Sequence, residues 1–232
     1  MGQRNASGGG DGRAAGTPAG VLPRGRHAAP RAVVAASQRR RLLDAMADAV
    51  AEKGYLDVSV ADVIARAGVS RRTFYELFAD REDCFLAAFD EAVGDVIAGI
   101  EAAIAAAGPE PLDAAKAGTR CYLEWLGSSP AYSRTFLIEV LAAGPAALQR
   151  RSAVRERFTD LIATGYEASR RAGVDLPARP RHIFRACMGA IDELVAAHIL
   201  AHGTDGINEL LEPVLDVEFG LLLGPGRPGP GW

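Results

Sequence analysis

The chain has 232 residues, 49% of them hydrophobic and 24% charged, with a formal net charge of −3. So much apolar material can bury a substantial core, which excludes a chain disordered throughout. Ala, Leu, Arg and Glu are plentiful and aromatics make up only 6%, a bias that sets an all-α expectation.

Residues 1–34 are rich in Gly, Ala, Pro and Arg, with five arginines (Arg4, Arg13, Arg24, Arg26, Arg31) against one acid, Asp11. Such a segment cannot offset the entropy of ordering and reads as a disordered basic tail, either a plain solvated extension or an arm that follows DNA phosphates. From Ser37, Leu42, Met46, Ala49 and Val50 recur on one helix face, and Gly54 ends the run. A second helix is predicted over 60–67, with Val60, Val63, Ile64 and Ala67 at i, i+3, i+4 and i+7. Gly68-Val69-Ser70 turns the chain, and a third helix over 71–78 points Phe74, Leu77 and Phe78 inward. A fourth starts after Asp80 and runs towards Gly108-Pro109. Five more follow at about 111–128, 130–143, 146–172, 180–202 and 207–223, punctuated by Gly and Pro. Pro213 either kinks the last helix or marks its start. The total is about nine helices without strand alternation or internal repeat, followed by a disordered Pro/Gly tail over 224–232.

Residues 59–78, SVADVIARAGVSRRTFYELF, carry the most information. Ser59 is a good N-cap with Asp62 three residues on, as in a capping box, and Val58 and Val63 are spaced as a hydrophobic staple. Ser70 caps the third helix, with Val69 and Phe74 as its staple. Two short helices joined by a three-residue turn containing Gly describe a helix-turn-helix. Arg71 and Arg72 are placed in the first turn of the third helix, where the helix dipole disfavours cations. Arg39, Arg40 and Arg41 are expected to crowd the start of the first helix in the same way. Twice repeated, this placement calls for an external anion, and DNA phosphate supplies one. Residues 1–79 hold 12 Arg and Lys against 7 Asp and Glu, whereas the remaining 153 hold 14 against 22. The basic end is therefore the candidate for nucleic acid.

This stretch closely resembles the DNA-binding domain of TetR/AcrR-family regulators. The resemblance rests on Gly54-Tyr55, on Ile64-Ala65-Arg66-Ala67-Gly68-Val69-Ser70 with Thr73, Tyr75 and Phe78, and on Asp80-Arg81-Glu82-Asp83, over about residues 37–90. It implies an N-terminal three-helix domain over 35–80 and a helical ligand-binding and dimerisation domain over 81–223. It implies Ser59, Thr73, Tyr75 and Arg81 at phosphates, where Arg81 replaces the usual Lys, and Arg71 and Arg72 towards bases. Ser70, Arg39 and Arg40 complete the candidate DNA-binding set. Glu76, four residues after Arg72, can hold that arginine in an intrahelical ion pair. The function implied is a ligand-responsive repressor that binds a palindromic operator as a homodimer. The partners are then double-stranded DNA, a second copy and an unidentified small-molecule effector.

In the acidic remainder, Ile191, Leu194, Val195, His198 and Ile199, with Val214, Leu215, Val217, Phe219 and Leu221 to Leu223, form the apolar stripes expected to dimerise. Candidates for an effector pocket are Cys121, Tyr122, Trp125, Tyr132, Phe136, Glu139, Tyr166, Phe184 and Met188, a mostly apolar set with a few polar groups. Ordinary core packing is the alternative for each of them, and Glu139 either selects a cationic ligand or pairs with Arg134 or Arg185. His198 and His202, one turn apart, raise a metal-responsive alternative, but no further ligand motif accompanies them. No nucleophile elbow, HExxH or phosphate-cradling Gly loop is present, so neither an enzyme nor a cofactor is expected. Three isolated cysteines (Cys84, Cys121, Cys187) and the lack of a membrane-length apolar run point to a reduced, cytoplasmic protein. An all-helical protein-interaction dimer is the remaining alternative.

Overall fold

The computed structural model describes residues 31–224. The tails expected over 1–34 and 224–232 therefore lie almost wholly outside the described residues. Nine α-helices occur among the described residues, with no strand. They are α1 (Arg31–Lys53), α2 (Val60–Ala67), α3 (Arg71–Leu77), α4 (Arg81–Ala107), α5 (Pro111–Ser128), α6 (Pro130–Leu137), α7 (Pro145–Arg171), α8 (Arg181–His202) and α9 (Leu211–Leu223). Short 3-10 turns at Tyr55–Asp57, Glu139–Ala142 and Ile207–Leu210 connect α1 to α2, α6 to α7 and α8 to α9.

Two boundaries differ from the sequence expectation. First, α1 begins at Arg31, six residues ahead of Ser37. Arg39, Arg40 and Arg41 thus lie in mid-helix, and the helix-dipole argument does not apply to them. Second, the expected single helix over 130–143 stops at Leu137 and tightens to 3-10 pitch, where the Glu139 carboxylate accepts a 3.4 Å hydrogen bond from the backbone N–H of Tyr55. Pro213 is the third residue of α9, within the first turn, where its missing N–H breaks no helical bond.

The helix-turn-helix is fixed by local chemistry. The Ser59 hydroxyl accepts from the Asp62 N–H at 3.3 Å and the Asp62 carboxylate accepts from the Ser59 N–H at 2.9 Å, closing both halves of the capping box. Lys53 donates to the same carboxylate at 2.6 Å and, together with Ser59, holds it far below the usual carboxylate range. Gly68 closes α2 at φ +62°, a left-handed geometry that L side chains adopt with strain.

One apolar cluster joins α1, α2, α3, the first half of α4 and α6, with Leu42, Met46, Val63, Phe74, Phe85 and Phe136 at its centre. A second joins α5, α8 and α9 through Leu123, Cys187, Val195, Ile199 and Val214. Phe74, fully buried, is the main anchor of the recognition helix α3, packing against Phe78 at 5.7 Å between ring centroids. Truncating a buried Phe costs about 3–5 kcal/mol. Phe74→Ala is accordingly expected to lower the stability of the N-terminal unit by that amount, read as the shift of its unfolding transition in urea.

Candidate functional site

The exposed side of α3 presents Arg71, Arg72, Tyr75 and Glu76 to solvent, while Phe74 and Phe78 face inward. Among the described residues Arg71 has no ion-pair partner; its guanidinium carbon lies 5.7 Å from the Tyr75 ring centroid. Tyr75, 48% exposed, stands edge-on to Phe74 and is thereby braced to point outward. Arg72 is tied to Glu76 at 2.8 Å, the intrahelical pair that the four-residue spacing suggests. Ser70 caps α3 by accepting from the Thr73 N–H at 3.0 Å, and the two hydroxyls lie 2.8 Å apart. Ser59 lies at the start of α2 with its hydroxyl on Asp62.

The other expected DNA contacts are engaged within the protein. Arg39 pairs with Glu91 and lies over the Phe78 ring. Arg40 is surrounded by Asp44 at 3.1 Å, Glu91 at 3.1 Å and Asp95 at 3.5 Å. These three carboxylates, two from α4 and one from the next turn of α1, are the anions that Arg39 and Arg40 need, so no phosphate is required at those two; the Arg41 Nε is buried without a partner among the described residues. Arg81 sits 4.4 Å over the Tyr55 ring and donates to the carbonyls of Tyr55 and Val58. It clasps the α1–α2 connection to the start of α4. On α3, by contrast, Arg71 and Arg72 are exposed.

The expected pocket residues separate into two chambers and a remainder. The larger cavity, about 190 Å³, is enclosed by α4, α5, α7, α8 and α9 and includes Ile100, Ile104, Tyr122, Tyr166, Met188 and Glu218. The smaller, about 70 Å³, includes Trp125, Tyr132 and Phe136 and reaches the Arg151–Asp192 and Arg155–Asp192 ion pairs at 3.2 and 3.1 Å. Tyr122, Phe158 and Met188 line both. Three expected residues line neither. The Cys121 sulfur packs 3.3 Å from where a Cβ on Gly99 would lie. Phe184 stacks edge-on against Tyr166 at 5.4 Å in a small core. Glu139 pairs with Arg134 at 3.4 Å and caps the Gly54-Tyr55 corner; Arg185 goes instead to Glu156 at 2.9 Å.

Sequence reasoning missed Glu218. It is 8% exposed in the wall of the larger cavity, and burial pushes its carboxyl up to about 7 from the usual 4.5. A carboxyl raised on folding binds a proton that the unfolded chain releases, so its contribution to stability falls as pH rises from about 4.5 to about 7. The signal was available: its neighbours at i−4, i−3 and i+4, Val214, Leu215 and Leu222, are all buried and apolar. The dimer stripes also need correction. Ile191, Val195, Ile199, Val214, Leu215 and Leu222 are buried within the protomer by packing among α5, α7, α8 and α9, which leaves Leu200, 63% exposed, as the large apolar residue on the outer side of α8. His198 is bonded to the Asp205 carbonyl oxygen at 2.7 Å, with the His202 ring 5.2 Å away. Among the described residues no three His, Cys, Asp or Glu side chains converge as a metal site. Burial pushes the Cys84 and Cys187 thiols up to about 12, which leaves them unreactive at neutral pH. No helix among the described residues is long and apolar enough to cross a membrane.

The sequence model for bacterial regulatory proteins of the tetR family matches residues 42–88, the span that holds the second half of α1, the helix-turn-helix and the start of α4. Over this span the chain is similar to the DNA-binding part of TetR-family regulators. It is 25% identical over 155 residues to the HTH-type transcriptional regulator EthR of Mycolicibacterium smegmatis, covering 67% of this chain and 71% of that protein. The fold extends the likeness beyond the DNA-binding domain. The fatty acid degradation regulator FadR of Bacillus halodurans superposes with a TM-score of 0.73 at 18% identity, over 82% of this chain and 97% of its own. FadR of Bacillus subtilis, solved in complex with stearoyl-CoA, gives 0.70 at 19% identity, over 79% and 97%.

Within the span that the tetR-family model matches, the Arg72–Glu76 pair lies on the exposed face of α3. Glu76 holds the guanidinium and places a negative charge on that face. Glu76→Gln is expected to strengthen binding to nonspecific duplex at low salt by about twofold, the size of one exposed i,i+4 pair, with the gain disappearing at high salt. Fluorescence anisotropy on a labelled duplex checks this.

Proposed function

We propose that the chain is a cytoplasmic, ligand-responsive repressor that binds a palindromic operator as a homodimer. The observation that carries the reading is the division of labour on α3. Phe74 and Phe78 anchor it, while Arg71, free of any carboxylate, and the outward-braced Tyr75 stand exposed beside Thr73. That set offers a guanidinium for base edges or phosphate and a phenol and hydroxyl for phosphate, the chemistry of major-groove readers. Two such weak readers joined in a dimer act as one strong one when half-sites lie a helical turn apart. In this reading Arg71 and Arg72 face bases, Ser59, Ser70, Thr73 and Tyr75 face phosphates, and Arg81 serves as a structural clasp.

The division at residue 80 makes 35–80 the DNA-binding unit and 81–223 the ligand-binding and dimerisation unit. The cavity supports ligand response: it is lined chiefly by apolar side chains and lies below the roughly 300–1,000 Å³ of drug-sized sites, which suits a slender apolar molecule. The B. subtilis relative is solved in complex with stearoyl-CoA, of which the stearoyl chain is such an apolar group. A ligand that favours one of two states by about 1–3 kcal/mol would change operator affinity about 5- to 150-fold.

Selection of duplexes from a random pool by the purified protein tests the reading. A palindromic site is expected, and it should be lost in the Arg71→Ala/Tyr75→Ala double variant. On the selected site, removal of one phosphate contact should lower the slope of log affinity against log salt by about 1. Failure to enrich any sequence, with no binding at low salt, contradicts it.

A further inference from the structure

The larger cavity is apolar except at one point. Among its lining residues Glu218 is the only one of acidic or basic type, and no hydrogen bond or ion pair from the described residues reaches its carboxyl. Burial alone raises that carboxyl, with no cation lowering it. The carboxyl lies in the cavity wall and not sealed in the core, so whatever fills the cavity becomes its partner. What faces this one from neighbouring elements is neutral: Cys187 on α8, whose thiol the carboxyl helps to raise, Thr119 and Tyr122 on α5, and Tyr166 and Ser169 on α7. The Tyr166 hydroxyl is already committed to the carbonyls of Pro177 and Leu222, and that of Ser169 to Gly165. The arginines of the adjoining chamber, Arg151 and Arg155, are held by Asp192.

Extending the ligand-responsive reading on which it rests, we propose that this cavity takes a lipophilic amine, with the apolar chain along the walls and the protonated nitrogen on the Glu218 carboxylate. A cation supplies the partner that the protein withholds. A plain hydrocarbon or acyl chain leaves the carboxyl unpartnered, a fatty acid sets a second carboxyl against it, and an alcohol offers only a neutral bond, about half as strong as a charge-assisted one. The excess of acids over bases in the last 153 residues, 22 against 14, further favours entry of a cation over an anion.

Calorimetric titration of the full chain with decylamine, 1-decanol and decanoate, below their micellar concentrations, tests the assignment. The empty cavity keeps the carboxyl protonated below about 7 and the amine needs it ionised, so decylamine affinity should rise about tenfold from pH 6 to pH 8. The affinity of decanol should not rise. At pH 8 decylamine should bind at least about tenfold more tightly than decanol, and Glu218→Gln, with helical content and thermal unfolding retained, should remove both the preference and the pH dependence. Should that variant not fold, the pH comparison on the unaltered protein decides the matter. Decanol or decanoate matching decylamine at pH 8, or decylamine binding that is indifferent to pH, overturns the amine assignment while leaving the cavity a ligand site. Failure of all three to bind the folded protein overturns the ligand-responsive reading itself.

Discussion

Everything the molecule is built to do passes through α4. At 1.5 Å per residue its 27 residues span about 40 Å, and the helix serves two cores. Cys84, Phe85, Ala88 and Phe89 near its start are packed among α1, α3 and α6, while Ile100 and Ile104 near its end form a wall of the larger cavity. Because packed interiors are dense and respond to added volume by shifting whole elements, a molecule inserted beside Ile100 and Ile104 would, in the proposed reading, press on a rod whose other end packs against the helix-turn-helix. The clasp of Arg81 on the Tyr55 and Val58 carbonyls, and the Glu139 contact to Tyr55, fasten that unit to the rod at its near end.

The same economy governs charge. An arginine can serve DNA only if the protein has not already satisfied it, and most of the basic residues near α3 are satisfied. Arg39 and Arg40 knit α1 to α4 through Glu91 and Asp95, and Arg66 pairs with Glu52. These ion pairs are partly exposed, and each adds little to stability. In the proposed reading their effect is to leave the DNA-facing role to α3, where Arg71 has no ion-pair partner among the described residues and Arg72 is held by Glu76.

Local signals were the legible ones. The caps at Ser59 and Ser70, Gly68 in the turn and the inward Phe74 and Phe78 all act within four residues, so the helix-turn-helix could be read almost to the residue, as could most helix ends marked by Gly or Pro. Partners distant in sequence were not legible. Arg39 and Arg40 meet Glu91, and Arg40 also Asp95, about fifty residues away; only the i,i+4 pair of Arg40 with Asp44 was open to a local reading. The start of α1 was obscured because 31–36 has no polar face against which an apolar stripe would stand out. In α9 Glu212 and Asp216 are exposed, whereas Glu218, two residues beyond Asp216, falls on the opposite, buried face. Pocket residues were half legible: Tyr122, Tyr166 and Met188 line the larger cavity, whereas Cys121, Phe184 and Glu139 are spent on packing or on an ion pair.

The central claim, that the cavity wall and the DNA-reading unit are coupled through α4, can be tested without knowing the ligand. Gly118 on α5 lies against that wall, and a Cβ added there meets Ile104 at 3.2 Å and Ile100 at 3.4 Å, pressing on α4 as a ligand would. The decisive measurement is operator affinity, by anisotropy on the selected site, for Gly118→Ala and for Gly118→Ala combined with Ile104→Ala, which removes both crowding carbons of Ile104. The account predicts that the first variant loses at least about fivefold in affinity, the lower end of ordinary allosteric coupling, and that the second recovers it. Wild-type affinity in a folded Gly118→Ala protein would contradict it.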